Sequence, residues 1–187
     1  MTTRAATKDE TYWKVLNAAI ELDFRKGHQR WTMSELSRSC KITRSLIYYY
    51  FGKSKEGLLL EGVRLLGEEF FGLNPVRLEL WERGDISQSV ILTRELLQKS
   101  PHMMAFYLVH RDSDSEIGRM VRQLEVDYLE KLKRFFPAAS EASIEALFGL
   151  FMGLVFAPHL TADAVRKAVQ VVLEISSQPT FSSVSSS

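Results

Sequence analysis

Hydroxyl, guanidinium and phenol groups are concentrated in one short stretch of this 187-residue chain. The stretch contains five such side chains: Thr43, Arg44, Ser45, Tyr48 and Tyr49. An arginine can donate two hydrogen bonds to a guanine edge, and hydroxyl groups can bond phosphates or bases. Lys53 and Lys55 follow near the start of the next predicted helix, where the helix dipole and free amides also attract phosphate. These residue types at this spacing favour binding to the groove and backbone of DNA.

Residue patterns typical of catalysis or metal binding are not found in the sequence. It has no glycine-rich phosphate loop, no nucleophile-elbow motif and no His-x-x-x-His pair. The four histidines, His28, His102, His110 and His159, are dispersed along the chain, and a lone histidine is more often structural than a ligand. We therefore predict no enzymatic activity, no metal site and no cofactor.

Charge is distributed unevenly along the chain although the net charge is only +1. Residues 1–60 carry 11 Lys and Arg against 6 Asp and Glu, whereas residues 61–187 carry 13 against 17. A basic first third joined to an acidic remainder suggests two roles, the first with an anionic partner.

Several features bear on the compartment of the protein. The single cysteine, Cys40, excludes a disulfide scaffold and fits a reducing environment. The first residues have no apolar stretch that could serve as a signal peptide. The longest apolar run, residues 147–158, is interrupted by two glycines and is too short to span a bilayer. We expect a soluble, cytoplasmic protein with no membrane partner.

The elements that must position the candidate side chains are helices. Helical periodicity dominates, and no segment alternates apolar and polar residues as a strand would. A first helix ends at Gly27, and Thr32 and Glu35 form a capping box that opens a second helix ending near Cys40. Thr43 caps a third helix only three residues later. Two short helices joined by a three-residue turn make a helix-turn-helix unit.

The remainder of the chain is predicted to be helical as well. Ser54 can cap a helix from about Lys55 to residue 72, and Asn74-Pro75 breaks the chain there. Further helices are predicted over residues 76–82, 86–99, 102–110, 116–136, 141–157 and 162–176. The predicted fold is all-α, with a three-helix DNA-binding domain over residues 1–54 and a helical regulatory and dimerisation domain over residues 55–176. The serine-rich residues 177–187 are predicted to be a flexible tail.

Three segments of the first third share a known pattern. They are residues 15–22 (VLNAAIEL) with Gly27, residues 32–36 (TMSEL), and residues 42–51 (ITRSLIYYYF) followed by residues 55–59 (KEGLL). A hydroxyl cap, an aliphatic-Tyr-x-x-Phe run and a Lys-Glu-x-Leu-Leu start at this spacing resemble the DNA-binding domain of TetR-family transcriptional regulators. The likeness extends over residues 12–60, and the rest of the chain resembles the family only in length and helical content.

The chain departs from the family pattern at three places. Lys41 stands where the family usually has a glycine in a left-handed turn, which costs about 1 kcal/mol if the turn is kept. Asp23 stands where the family has an apolar residue, and Phe24 follows one step late. The link after the third helix is one residue longer, so either Lys53 or Lys55 can be the lysine that contacts phosphate.

The resemblance implies that the third helix enters the major groove of a double-stranded DNA operator. The residues implied to contact DNA are Thr32, Thr43, Arg44, Ser45, Tyr48, Tyr49, Lys53 and Lys55. Arg44 and Ser45 are expected to select the sequence because they lie at the N-terminus of this helix, whereas the residues flanking the groove mostly affect affinity.

Small residues recur along the predicted helix over residues 141–157, and apolar residues recur along the next. Glycine costs roughly 1 kcal/mol in a helix interior, so two glycines on one stripe suggest the close approach of another helix. Packing of both stripes within one chain is the alternative. In TetR-like proteins the last two helices pair with their copies, so the resemblance favours a homodimer. Its predicted interface residues are Ala146, Gly149, Gly153, Ala157, Val165, Ala168, Val169 and Val172.

Aromatic and methionine side chains are frequent between these helices and the first domain. Most of them are expected in the core, but large adaptable side chains also line cavities for apolar or aromatic ligands. The candidate ligand-binding residues are Phe71, Trp81, Met104, Tyr107, Tyr128, Phe148 and Met152, chosen for size and position.

The sequence therefore predicts a sequence-specific DNA-binding transcriptional regulator. The favoured form is a repressor that a small apolar or aromatic effector, of unknown identity, releases from a two-fold related operator. The alternative is a helix-turn-helix DNA-binding factor that a protein partner regulates and that has no ligand pocket.

Overall fold

The structure is a computed structural model that describes the backbone of residues 3–176 and the side chains of residues 10–176. Within residues 3–176 every regular element is helical, which confirms the predicted all-α fold. The helices in this range are α1 Thr3–Lys26, α2 Met33–Cys40, α3 Arg44–Phe51, α4 Lys55–Leu65, α5 Pro75–Glu82, α6 Ile86–Lys99, α7 Met103–Arg111, α8 Glu116–Phe135, α9 Glu141–Phe156 and α10 Ala162–Ser176. The predicted tail, residues 177–187, lies outside the described residues.

Capping side chains fix the helix ends of the N-terminal region where the sequence predicts them. The Thr32 hydroxyl accepts a hydrogen bond from the Glu35 amide at 3.2 Å, and the Glu35 carboxylate accepts one from the Thr32 amide at 2.8 Å. Thr43 and Ser54 cap α3 and α4 in the same manner through their hydroxyl groups. Gly27, at a φ of +90°, follows α1 in a conformation that glycine adopts without the usual steric cost.

The later helices agree with their predicted bounds to within one residue, except for α4. This helix ends at Leu65 and continues directly as a π-helical segment, Leu66–Phe70. A π-helical turn holds more residues than an α-helical turn, so it changes the direction of the side chains that follow. Hydrophobic periodicity does not reveal such a short change of pitch.

The chain folds into two compact units. Within the described residues, the first comprises residues 3–66 and Ser100–Val121, and the second comprises Gly67–Lys99 and residues 122–176. The sequence prediction placed the domain boundary after residue 54, because it considered only the helix-turn-helix and the helix before it. The first unit extends further because α4 and α7 both pack on α1.

In the first unit α1 is central, since α2, α4 and α7 all contact it. Leu16 on α1, Leu36 on α2 and Leu58 on α4 have no exposed surface, and Trp31, in the loop before α2, is almost as deeply buried. Burial of these apolar side chains is the main force that holds the helix-turn-helix to its supporting helices.

In the second unit α6 is central, since α5, α9 and α10 all contact it. Arg94 of α6 donates from Nη1 to the carbonyl oxygens of Leu154 and Ala157 at 2.6 and 2.8 Å, and from Nη2 to that of Leu160 at 2.7 Å. These carbonyl groups lie at and beyond the C-terminus of α9, where a helix lacks amide donors of its own. Arg94 therefore fixes the turn from α9 to α10 onto α6.

The helices differ from membrane-spanning helices in length and polarity. The most apolar of them, α9, has 16 residues, whereas about 20 are needed to cross the hydrocarbon core. None of the helices between residues 3 and 176 is both long enough and apolar enough for a span.

Candidate nucleic-acid interface

Contacts across the turn between α2 and α3 hold the helix-turn-helix together. The Ser37 hydroxyl donates a hydrogen bond to the Ile42 carbonyl at 2.6 Å, and the Ile42 amide donates to the Ser37 carbonyl at 3.2 Å. Ile42 is half-buried, and Ile47 on α3 is fully buried. Lys41 has a φ of +56°, so the turn keeps its left-handed conformation without a glycine. These contacts fix α3 against α2.

The outward side of α3 carries side chains predicted to contact DNA. Arg44 and Ser45 are exposed at its first turn, and Tyr49 is 80% exposed one turn later. Tyr48 is half-buried. This side of α3 thus presents a guanidinium, a hydroxyl and a largely exposed phenol to solvent.

Local hydrogen bonds engage three of the side chains that the sequence predicts to contact DNA: Thr32, Thr43 and Arg44. The Thr43 hydroxyl accepts from the Leu46 amide at 3.4 Å as the cap of α3, and Thr32 caps α2. Arg44 Nη1 lies 3.5 Å from the Ser34 hydroxyl oxygen, which engages one of the five donors of its guanidinium group. Both threonines are exposed at helix N-termini, and the amide and hydroxyl of Thr32 donate to the Glu35 carboxylate at 2.8 and 3.1 Å.

Lys53 and Lys55 differ in what their ammonium groups contact. Lys55 is half-buried, and its Nζ donates to the carbonyl oxygens of Gln29 at 2.7 Å and Trp31 at 3.1 Å. Lys53 is exposed, and its Nζ lies 6.0 Å from the centroid of the Tyr48 ring. Lys55 therefore ties the start of α4 to the loop before α2, whereas Lys53 has its ammonium at the surface.

Asp23, at the end of α1, is a buried carboxylate whose partners are distant in sequence. Its Oδ1 accepts hydrogen bonds from the Gln29 amide at 2.7 Å and from Trp31 Nε1 at 2.9 Å. Its Oδ2 lies 2.8 Å from His110 Nε2 on α7. Burial raises the pKa of Asp23, but the hydrogen bonds to His110, Gln29 and Trp31 outweigh burial and hold the pKa below its usual value. The break in the apolar pattern at Asp23 was the only sequence signal of this network.

The N-terminal region was found to be similar to a known protein family. Residues 15–61 match the family model described as bacterial regulatory proteins, tetR family. This N-terminal region carries the sequence pattern of TetR-family regulators. The match spans the second half of α1, all of α2 and α3, and α4 as far as Glu61. These are the helix-turn-helix and the two helices that support it, so the first unit carries a TetR-family DNA-binding domain.

Two solved structures similar to this chain are both of NalD, the secondary repressor of the MexAB-OprM multidrug efflux pump in Pseudomonas aeruginosa. One has 18% identity and a TM-score of 0.48, and the match covers 90% of this chain and 96% of that chain. The other, native NalD, has 18% identity and a TM-score of 0.49, with 89% and 96% covered. Among curated proteins, no match to the sequence was found.

The predicted dimer residues on α9 of the second unit lie at the surface. Ala146, Gly149 and Gly153 are exposed, and Ala157 is half-buried. A Cβ atom placed on either glycine would meet nothing within 4 Å, so neither glycine is required by packing within the chain. Exposed glycines inside a helix destabilise it by about 1 kcal/mol each relative to alanine, which leaves them unexplained by the single chain.

The predicted dimer residues on α10 mostly face the chain's own core. Val165, Val169 and Val172 are buried, because they lie on the side of α10 that packs within the second unit. Ala168 is half-buried. Val165 and Val169 are therefore core residues of this chain, and the surface of α10 is formed by its neighbours in sequence.

An apolar groove runs along the exposed faces of α9 and α10. Its lining residues are Gly149, Leu150, Gly153, Leu154, Leu160, Ala164, Lys167, Ala168, Val171, Val172 and Ile175. Leu150, Val171 and Ile175 are each about half-exposed in the single chain. Large apolar side chains clustered at the surface indicate an interaction site.

The predicted ligand-binding residues are divided between the two units. Met104 and Tyr107 lie on α7 in the first unit, and the other five belong to the second. Within the second unit Phe71, Tyr128 and Phe148 form a continuous row of rings, with centroid distances of 5.4 and 5.7 Å. Met152, like Phe148, is half-buried, whereas Phe71, Trp81 and Tyr128 are buried.

Lys131 is a buried lysine beside this row of rings. Its Nζ lies 4.1 Å from the centroid of the Trp81 ring and 5.3 Å from that of Tyr128. It also donates to the carbonyl oxygens of Phe71 at 3.2 Å and Gly72 at 2.9 Å. Burial, together with the nearby Arg77 cation, lowers the pKa of Lys131 to about 7.

The indole N–H of Trp81 is a second unusual polar group in the same place. It is buried and has no hydrogen-bond partner among the residues that the structure describes. A buried donor without an acceptor is destabilising and rare, so it requires an explanation. A bound molecule with an acceptor atom at this position would satisfy it.

The low pKa of Lys131 predicts how the stability of the protein depends on pH. Between pH 7 and about 10 the unfolded lysine, with a pKa of 10.5, binds more protons than the folded one, so stability rises with pH. In Lys131→Met, the part of the rise due to this lysine, up to about 1.4 kcal/mol per pH unit, should disappear. Urea unfolding at several pH values measures it. Lys133→Met, at an exposed lysine, should keep the wild-type rise, and an unchanged slope in Lys131→Met would contradict the assignment.

Proposed function

We propose that this protein is a TetR-family transcriptional repressor that binds a two-fold related DNA operator as a homodimer and is released by a small aromatic molecule. The exposed face of α3 carries the proposal. Arg44, Ser45 and Tyr49 are presented there from a helix that packs on α2, which in turn packs on α1. A dimer bound across its operator excludes other proteins from the same DNA, which is the simplest form of repression.

The proposed DNA contacts divide into base readout and phosphate binding. Arg44 and Ser45 lie at the N-terminal turn of α3, the part of a recognition helix that contacts base edges. Thr32, Tyr49 and Lys53 are exposed around this turn and are proposed to bind phosphates. Lys55 is proposed to affect DNA binding indirectly, by holding the loop before α2, because its ammonium already binds the carbonyl groups of that loop.

The homodimer is proposed to form through the groove on α9 and α10. The open glycines of α9 permit a helix of the second copy to approach closely. The half-exposed Leu150, Val171 and Ile175 supply apolar surface that such contact would bury. Compared with the sequence prediction, this interface uses the outward residues of α10 in place of Val165 and Val169.

Release is proposed to act through the distance between the two recognition helices of the dimer. They must match successive major grooves, so half-sites lie about one helical turn apart or somewhat more. A thousandfold loss of DNA affinity requires about 4 kcal/mol of coupling between effector and operator. Along the chain, α4 begins near the recognition helix and leads through the π-helical segment to Phe71 of the row of rings. This continuous segment is the proposed mechanical link.

The chemistry of the second unit narrows the class of effector. The rings of Phe71, Tyr128 and Phe148 favour a flat aromatic body. The unpartnered Trp81 N–H and the Lys131 ammonium favour an acceptor group, such as a carboxylate or an amide oxygen. We therefore propose an aromatic acid or amide as the effector.

DNA selection with purified protein, followed by binding measurements on the selected site, tests the recognition surface. Arg44→Ala should lose about 1–3 kcal/mol of affinity and relax the preference at one base pair in each half-site. Lys53→Ala should weaken binding to all sequences and reduce the salt dependence, whose slope for about six phosphate contacts is near −5. The control, Arg166→Ala on α10, should bind as the wild type. Uniform weakening by Arg44→Ala would instead make Arg44 a phosphate contact.

Sedimentation equilibrium of Gly153→Leu tests the dimer face. A leucine at this open position should push the two copies apart, shifting the protein toward monomers and lowering operator affinity. Ala138→Leu adds the same side chain at an exposed site outside the groove and should remain dimeric. A fully dimeric Gly153→Leu with normal DNA affinity would place the interface elsewhere.

Screening a panel of aromatic carboxylic acids and amides for operator release tests the proposed effector class. For any active compound, Trp81→Phe should reduce potency about tenfold or more, because it removes one buried donor while keeping an aromatic ring. Its operator affinity without compound should be unchanged. Trp13→Phe, on α1 in the first unit, is the matched control. Equal potency on both variants would exclude the Trp81 N–H as a ligand contact.

A further inference from the structure

Two histidines that are far apart in sequence meet at the buried carboxylate of Asp23. His28 lies in the loop after α1, and His110 lies on α7, both in the first unit. Asp23 Oδ2 is 2.8 Å from His110 Nε2 and 3.4 Å from His28 Nδ1. One ligand-type atom from each of the three residues lies within 4.8 Å of the other two. The sequence predicted no metal site, since the histidines are separated by 82 positions along the chain.

We propose that Asp23, His28 and His110 form a binding site for one divalent transition-metal ion of the zinc, cobalt and nickel class. Imidazole nitrogens with a carboxylate oxygen suit these ions, whereas calcium and magnesium prefer oxygen ligands alone. The proposal is independent of DNA binding.

The distances in the cluster are close to those that a metal ion requires. Zinc binds nitrogen and oxygen at about 2.0–2.2 Å, so neighbouring ligands of a tetrahedral ion lie about 3.3 Å apart. The Asp23–His28 distance of 3.4 Å already has this value. The Asp23–His110 distance of 2.8 Å is a hydrogen bond and must open by roughly half an ångström to admit the ion.

The second oxygen of Asp23 is held as metal-ligating carboxylates usually are. Oδ1 accepts hydrogen bonds from the Gln29 amide and from Trp31 Nε1, and these donors orient the group so that Oδ2 faces both imidazoles.

The three proposed ligand side chains differ in exposure, and the more exposed one gives a metal ion access from solvent. The side chains of Asp23 and His110 are 1% and 3% exposed, whereas that of His28 is 37% exposed. Two ligands are thus rigidly buried, and the third lies at the surface on a loop that can adjust. Three protein ligands with one open side leave the fourth position of a tetrahedral ion to water or another small ligand.

The site would join two segments of the first unit that the polypeptide chain connects only at a distance. His28 belongs to the loop that leads to the Thr32 cap of α2, and His110 belongs to α7. An ion bound to both would hold this loop against α7 more strongly than the present hydrogen bonds, and it would raise the thermal stability of the unit.

Cobalt titration of the full-length, chelator-treated protein tests the proposal. One equivalent of Co²⁺ should produce visible absorption bands typical of a four-coordinate site with nitrogen and oxygen ligands, and Zn²⁺ should abolish them by competition. His28→Ala should weaken Co²⁺ binding at least about tenfold, since the loss of even an outer-shell partner has that effect. His159→Ala removes an exposed histidine outside the cluster and should bind as the wild type.

Thermal unfolding is a second test of metal binding, and it does not depend on the visible absorption of Co²⁺. Zn²⁺ should raise the unfolding midpoint of the wild type and of His159→Ala but not that of His28→Ala. If circular dichroism shows that His28→Ala does not fold, His28→Gln replaces it, because a polar side chain of similar length is retained on the loop. The proposal would be overturned if the wild type showed no cobalt bands. It would also be overturned if His28→Ala, or His28→Gln in its place, bound Co²⁺ with the same affinity as the wild type.

Discussion

The position of the recognition helix depends on the buried carboxylate of Asp23. A carboxylate removed from water is stable only if donors surround it, and here the donors come from the loop before α2 and from α7. Satisfying this one charge therefore fixes Trp31, the residue directly before the Thr32 cap. Lys55 binds the opposite side of the same loop through its carbonyl groups. The loop is held at both its amides and its carbonyls, and α2 and α3 start from it.

Basic side chains bonded to backbone carbonyl groups recur in both units. Lys55 binds the loop before α2, Arg94 binds the end of α9, and Lys131 binds the residues just after the π-helical segment. In each case a turn has carbonyl groups without amide partners, and a long cationic side chain from another element supplies the donors. These bonds tie irregular segments of this all-α protein to its helices.

The two units satisfy their buried polar groups to different degrees. In the first unit the carboxylate of Asp23 has donors on both oxygens. In the second, Lys131 is buried near another cation, Arg77, and the Trp81 indole is left without an acceptor. Unsatisfied and like-charged groups are tolerated where a protein gains something other than stability from them. This contrast supports the proposed effector site in the second unit.

The helices, their caps and the outward side of α3 could be predicted from the sequence, because these features depend on local interactions. Thr32 with Glu35, Thr43 and Ser54 bond amides within three residues, and the outward direction of Tyr49 follows from helical spacing. Only the tertiary structure decided the features that join distant residues. The π-helical segment, the burial of Val165 and Val169, the engagement of Lys55 and the meeting of His28 with His110 all depend on which helix faces which. Periodicity shows that a helix has an apolar side, but it does not show whether that side meets its own chain, a second copy or a ligand.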